Sequence, residues 1–197
     1  MSDYTIIVPT CKALEDVQAL LANIRNAEPY IADRLIPTCL DATPAVNRNY
    51  GLDKCQTPFA VMIDDDVTGF PKFFARDLVE TLKSDEELGM VSAKLLNGHG
   101  EMFMGGAIRD EELGLSIARA GWLPTACVAM HKTGQRFDVG LSWMEDVDYC
   151  WTLNKVSPSL FVVDNGIRVL HRNEEKWRKN DVAAAQEYFK KKWGRLP

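Results

Sequence analysis

Phe59-Ala-Val-Met-Ile-Asp-Asp-Asp66 is the stretch on which the reading of the whole chain turns. Five apolar residues in a row suit a strand buried on both faces, and three consecutive carboxylates end it. Like charges held this close repel and raise one another's pKa, so the strand end calls for compensating positive charge. Side-chain alternation sends Asp64 and Asp66 to one side and Asp65 to the other. Carboxylates fixed on a strand end suit an octahedral Mg2+ or Mn2+ completed by phosphate oxygens. A solvated acidic turn before Gly69 is the alternative.

Upstream, Thr5-Ile-Ile-Val8 is a β-branched run ended by Pro9, which predicts an opening strand. Leu14, Val17, Leu21 and Ile24 recur at helical spacing and predict a helix over 14–25. A strand over 34–40 follows, which Pro37 places near an edge or bend, and then a short helix over 45–52 that closes near Gly51. Downstream, the pattern predicts a helix over 73–83, a strand over 90–96, a turn at Asn97-Gly-His-Gly100 and a strand over 126–130. A helix over 144–153, strands over 160–163 and 167–170, and a closing helix over 181–193 complete the series. Alternating strands and helices imply one α/β domain, its mostly parallel sheet covered by helices on both faces. Neither G-x-G-x-x-G nor G-x-x-x-x-G-K-[ST] occurs, so any nucleotide is held by other means.

The 197 residues, 46% hydrophobic and 26% charged, fit one globular domain and exclude disordered or fibrous classes. No apolar run approaches the roughly 18 residues of a membrane span, and the N-terminus lacks signal-peptide character. The expected location is therefore cytoplasmic. Five cysteines, odd in number and free of Cys-x-x-Cys, read as reduced and mostly buried thiols. The net charge of -5 is uneven: from Arg168 onward nine bases face four acids, so the tail is the basic part of an otherwise acidic chain. Residues 1–175 are thus expected to form the catalytic unit and 176–197 a basic helix packed on it or extending from it.

Two further groups carry chemistry. In Trp143-Met-Glu-Asp-Val-Asp-Tyr149, Glu145 and Asp148 share a helical face and Asp146 points elsewhere. Acids at a helix start also simply complement its dipole. His171 leaves a late apolar strand, where an imidazole is either structural or completes a metal site begun by strand-end aspartates.

In this order and context, the elements resemble glycosyltransferase family 2 on the GT-A fold, across most of the chain. Thr5 to Thr10 is similar to that family's first strand, and Asn47-Arg48-Asn49-Tyr50-Gly51 to its "A-R-N-x-G" helix. Asp64-Asp65-Asp66 is similar to "D-x-D", Phe137-Asp138 with Glu145-Asp146-Val-Asp148 to "G-F-D-E…E-D-x-D", and His171 to a strand-end histidine of many members. The resemblance implies a GT-A-type, Rossmann-like domain that moves a sugar from a nucleotide-diphosphate sugar, a UDP-sugar above all, to a hydroxyl acceptor with inversion. It implies Mn2+ or Mg2+ on Asp66, His171 and Asp64, with Asp146 as catalytic base and Glu145 beside it. Pro9, Thr10, Asp41, Arg48, Asn49, Asp64 and Asp65 would surround the donor at the carboxyl ends of the strands.

The chain departs from that family in three places. Asp41-Ala-Thr43 stands where a "D-D-G-S" turn is usual, and Thr152 where many members have arginine. Residues 97–124, with Gly105-Gly106, match no family segment and are expected to shape the acceptor site, whether that acceptor is a glycan, a lipid-linked sugar or nucleic acid. Two other functions stay open. A nucleotidyltransferase would use the same paired aspartates. A binding module, or a DNA-modifying transferase, would use the C-terminal helix, where Trp177, Tyr188, Phe189 and Trp193 alternate with Lys176, Arg178, Lys179, Lys190, Lys191 and Lys192 to suit DNA or an anionic inner membrane face. A solvated helix packing its aromatics on the core is the plainer reading.

Overall fold

A computed structural model describes residues 3–101, 117–172 and 179–197. Strand β1 (Tyr4–Thr10) is buried along its whole length, which is why its sequence runs apolar rather than alternating. β2 (Leu35–Cys39) and β3 (Phe59–Ile63) flank it in parallel. Between them come a 3-10 turn (Leu14–Val17), α1 (Gln18–Ala27) and α2 (Pro44–Lys54). Thr43 caps α2 by accepting the Val46 amide, and Pro44 opens the helix with its φ already suited to it. β2 is an edge strand, where Pro37 costs no ladder bond on its open side.

The second half adds β4 (Val67–Thr68), α3 (Phe74–Lys83), β5 (Leu88–Leu96), β6 (Ile117–Ala120), β7 (Cys127–His131), α4 (Glu145–Val156), β8 (Leu160–His171) and α5 (Lys179–Trp193). One sheet results, ordered β2-β1-β3-β7-β5-β8-β4 with β6 also on β8. β1, β2, β3, β5 and β8 run one way, while β4, β6 and β7 run against them. The sheet is therefore mixed but mostly parallel in direction.

Helices cover both faces. Ile6 and Val8 pack with Leu21 and Ile24 of α1 and with Phe74 and Leu78 of α3. Ile7, between them, points the other way to Leu52 of α2 and Tyr149 of α4. Outside that second layer lies a smaller cluster in which Ala185 and Phe189 of α5 meet Leu141, Met144 and Val147.

Three departures from the sequence expectation shape the site. The segments 160–163 and 167–170 form one strand, because residues 165–167 bulge out between the pairs Ala93/Asp164 and Lys94/Arg168. β6 falls in the stretch whose sequence gave no reading; Gly105-Gly106 lies outside the described residues. The two-residue β4, too short to register as a period, pairs Val67 with His171. Among the described residues no helix is long and apolar enough to cross a membrane. All five cysteines are free thiols, with Cys55, Cys127 and Cys150 buried and Cys11 and Cys39 exposed.

Gly51 marks the closest approach of α2 to the sheet. A Cβ there would sit 2.2 Å from Ile7 Cγ2 and 3.3 Å from Thr38 Cγ2. Gly51→Ala is expected to destabilise the fold by about 1–3 kcal/mol, despite alanine's better helix propensity. Urea titration checks this: the midpoint should fall with the slope unchanged.

Candidate functional site

The parallel strands carry their carboxyl ends to one side of the sheet, and the acidic triplet lies there. Asp64 donates its amide to the Ala126 carbonyl at 2.9 Å, and Val67 returns a bond to the Asp64 carbonyl at 3.2 Å, so the three acids form a tight turn between β3 and β4. Because β4 pairs with the end of β8, and the Arg172 amide donates to the Asp66 carbonyl at 3.1 Å, the turn is fastened beside His171.

Each carboxylate meets a basic group of its own. Asp64 receives Arg48 Nη2 at 2.9 Å, Asp65 receives Lys12 Nζ at 2.9 Å, and Asp66 lies 3.1 Å from His171 Nε2. Thr10 also donates its hydroxyl to Asp65. Asp65 thus faces the end of β1, while Asp64, Asp66 and His171 bring one ligand atom each to within 4.8 Å of one another. Two carboxylate oxygens and an imidazole nitrogen form a donor set that could hold a divalent metal ion.

Arg48 ties this cluster to α4. Its guanidinium bonds Asp64 with one arm and Glu145 with the other, and lies 5.6 Å from the centre of the Phe137 ring. Burial disfavours its charge, but Asp64 and Glu145 outweigh burial and hold it protonated. Phe137 is itself set by Asn49, whose amide donates to the Phe137 carbonyl at 2.9 Å and accepts its amide at 2.8 Å, and by stacking on Tyr149 at 4.3 Å.

The titratable groups are driven apart. Burial pushes Asp146 up to about 7, the negative charge of Glu145 adds to this, and Arg48 opposes it. Burial would also raise Asp66, yet the hydrogen bond and charge of His171 outweigh it and hold Asp66 below its ordinary value. His171 shifts reciprocally upward: burial opposes its charge, and Asp66, then Asp64, prevail. Separated protonation tendencies of this kind gather at functional sites.

The expected residues therefore divide. Asp64, Asp66 and His171 converge, with Arg48 linked to Asp64 and Thr10 to Asp65. Pro9 is buried in β1 opposite Thr38, and Asp41 is exposed just beyond β2. Glu145, expected beside the base, spends its carboxylate on Arg48, and Asn49, expected near the nucleotide, spends its amide on Phe137. Lys12 had no signal in the sequence beyond following the first strand, and its role appears only when β1 and β3 pair. On α5, Phe189 is buried, while Lys190, Lys191 and Lys192 are exposed and Lys192 is engaged by Asp138 and Asp148; residues 176–178 of the proposed binding surface lie outside the described residues.

Fold and cluster together define a single-domain, GT-A-like α/β protein with an Asp-Asp-His group at the carboxyl end of its sheet. Among solved structures it is similar to A197 from STIV, with a TM-score of 0.58, 13% identity and coverage of 88% of this chain and 87% of that one. It is equally similar to GalNAc-T7, solved with UDP, GalNAc and Mn2+: TM-score 0.58, 13% identity, 93% of this chain but 41% of that one. The chain therefore spans about two fifths of GalNAc-T7. At such identity the likeness is one of fold. No family model and no curated protein sequence matches the chain.

The Asp66–His171 pair gives metal-free stability a defined pH window. The raised imidazole contributes fully below its ordinary 6.5 and loses its contribution as pH rises through the higher folded value. The lowered carboxyl contributes above its ordinary 3.8 and loses its contribution as pH falls through the lower folded value. His171→Gln in EDTA is thus expected to destabilise the protein at pH 5 and to cost much less at pH 9, by urea unfolding at both pH values.

Proposed function

We infer that the chain is a divalent-metal-dependent glycosyltransferase that moves a sugar from a nucleotide-diphosphate donor to a hydroxyl acceptor with inversion. The observation that carries this reading is the meeting of Asp64, Asp66 and His171 at the carboxyl end of a GT-A-like sheet. The UDP, GalNAc and Mn2+ held by GalNAc-T7 support the donor class. On this reading residues 1–175 are the catalytic unit and 176–197 an attached helix.

Asp64, Asp66 and His171 would hold Mn2+ or Mg2+, which when bound supplies positive charge to a departing diphosphate. Thr10, Asp41 and Asp65, with Pro9 buried beside Thr10, would frame the strand ends where the nucleoside would lie, and Thr10 and Lys12 fix the Asp65 carboxylate. Asn49 acts there through Phe137, and Glu145 through Arg48. Arg48 keeps the metal-side aspartate and the first turn of α4 in one frame. Asp146 is the base: a carboxyl raised to about 7 accepts the acceptor's proton near neutral pH, a contribution typically of about 10²–10⁴-fold. The inward packing of Phe189 and Trp193 favours the transferase over a binding module built on α5.

Asp146→Asn is expected to lower transfer by about 10²–10⁴-fold while Mn2+ and UDP still raise the melting temperature as in wild type. Transfer at the wild-type rate would remove Asp146 from the mechanism. A product carrying a nucleoside monophosphate, seen by mass spectrometry, would make the chain a nucleotidyltransferase instead. Mn2+ must also displace the proton of His171, so calorimetric titration should show apparent affinity weakening about tenfold per pH unit below the imidazole's raised pKa.

A further inference from the structure

Asp148 stands two positions after Asp146 on the first turn of α4, its side chain only 2% exposed. A carboxylate that deep is tolerated only with good partners. Its partners come from α5: Lys192 Nζ lies 2.8 Å from Oδ1 and 3.0 Å from Oδ2, and Trp193 Nε1 donates to Oδ1 at 2.7 Å. The same ammonium reaches Asp138, in the loop before α4, at 2.6 Å, where the Tyr188 hydroxyl also donates at 3.2 Å. One lysine thus joins the approach loop and the first turn of α4 to the last turn of α5.

The backbone between those two anchors is strained. Met144, directly before Glu145 and Asp146, has φ 68, a left-handed conformation costly for a residue with a side chain. Such a residue persists where its surroundings over-determine it. Met144 is buried with Leu141, Val147, Ala185 and Phe189, the last two from α5, and Trp151 of α4 meets Phe189 and Trp193 edge-on at 5.2 and 5.4 Å.

We propose that α5 braces the catalytic turn: Lys192 and Trp193, acting through Asp138 and Asp148, fix the start of α4 and hence the aim of Asp146. The inference rests on reading Asp146 as the base. Lys192 and Trp193 are positioning residues that act on a carboxylate they do not touch. The basic tail then has a task within the fold, carried by Lys192, whose ammonium is held by Asp138 and Asp148.

The test uses the full chain with Lys192→Met and Lys192→Arg, which leave the aromatic packing around Phe189 in place, and Trp193→Phe, which removes the indole donor but keeps an aromatic ring. Lys192→Met is expected to lower kcat by about 10–100-fold, with donor KM and Mn2+ affinity within about twofold of wild type. Lys192→Arg, able to span the same two acids, should recover most of that loss, and Trp193→Phe serves in its place if Lys192→Met does not fold. An earlier melting transition with kcat intact, or a raised KM with kcat intact, overturns the brace. If wild type turns over no nucleotide sugar, the functional reading fails on its own, and hydrogen exchange decides the inference. Amides 148–151, the first in α4 with intrahelical acceptors, should then lose protection in Lys192→Met and Trp193→Phe while β1 and β3 keep theirs, and unchanged protection overturns it.

Discussion

Three adjacent carboxylates at the end of a buried strand cannot remain charged together without compensation, and the way this chain meets that constraint organises much of what surrounds them. Arg48 comes from α2, Lys12 from the turn after β1, and His171 from the end of β8. Each of these basic groups brings its own element to the same end of the sheet. The charge that makes the strand end costly is also what gathers distant parts of the chain around it.

Geometry follows from one small strand. Reversal of the chain at Asp64–Asp66 lets β4 lie antiparallel against β8, which sets Asp66 beside His171 although more than a hundred positions separate them. On the other side Arg48 spans Asp64 and Glu145 and so carries the position of the acidic turn to α4. Asp64 and the first turn of α4, on which Asp146 lies, are therefore tied together through Arg48, with Asp146 raised by burial and by Glu145 while Arg48 tempers both. A network in which every charge has a partner resists rearrangement, as a preorganised site requires.

Much of this was legible from residue order alone. The apolar runs of β1 and β3, the spacing of α3 and the edge placement of Pro37 follow from periodicity and backbone chemistry, whereas the helix expected over 14–25 opens as a 3-10 turn with Leu14 exposed and becomes α1 only from Gln18. Alternation separated Asp65 from Asp64 and Asp66, as their partners now do. Contacts made only through pairing were hidden. Lys12 is an isolated base, β4 is too short to show a period, and the bulge at 165–167 breaks the pattern of a strand that is nonetheless continuous. Glu145 and Asn49 read as site residues by motif, yet their side chains serve Arg48 and Phe137, a distinction that depends on three-dimensional neighbours. The tail's basic charge was visible, but not its partners, because a lysine left to solvent and one held by Asp138 and the buried Asp148 are spelled alike.

The central claim is that Asp64, Asp66 and His171 share one divalent ion with a nucleoside diphosphate. Pulsed EPR on Mn2+ with UDP tests it most directly, because the ion's couplings report its nitrogen and phosphorus neighbours. Modulation from a single imidazole nitrogen together with phosphorus coupling is expected, the nitrogen signal vanishing in His171→Gln. A spectrum showing only water protons, or an imidazole signal that survives this substitution, would contradict it.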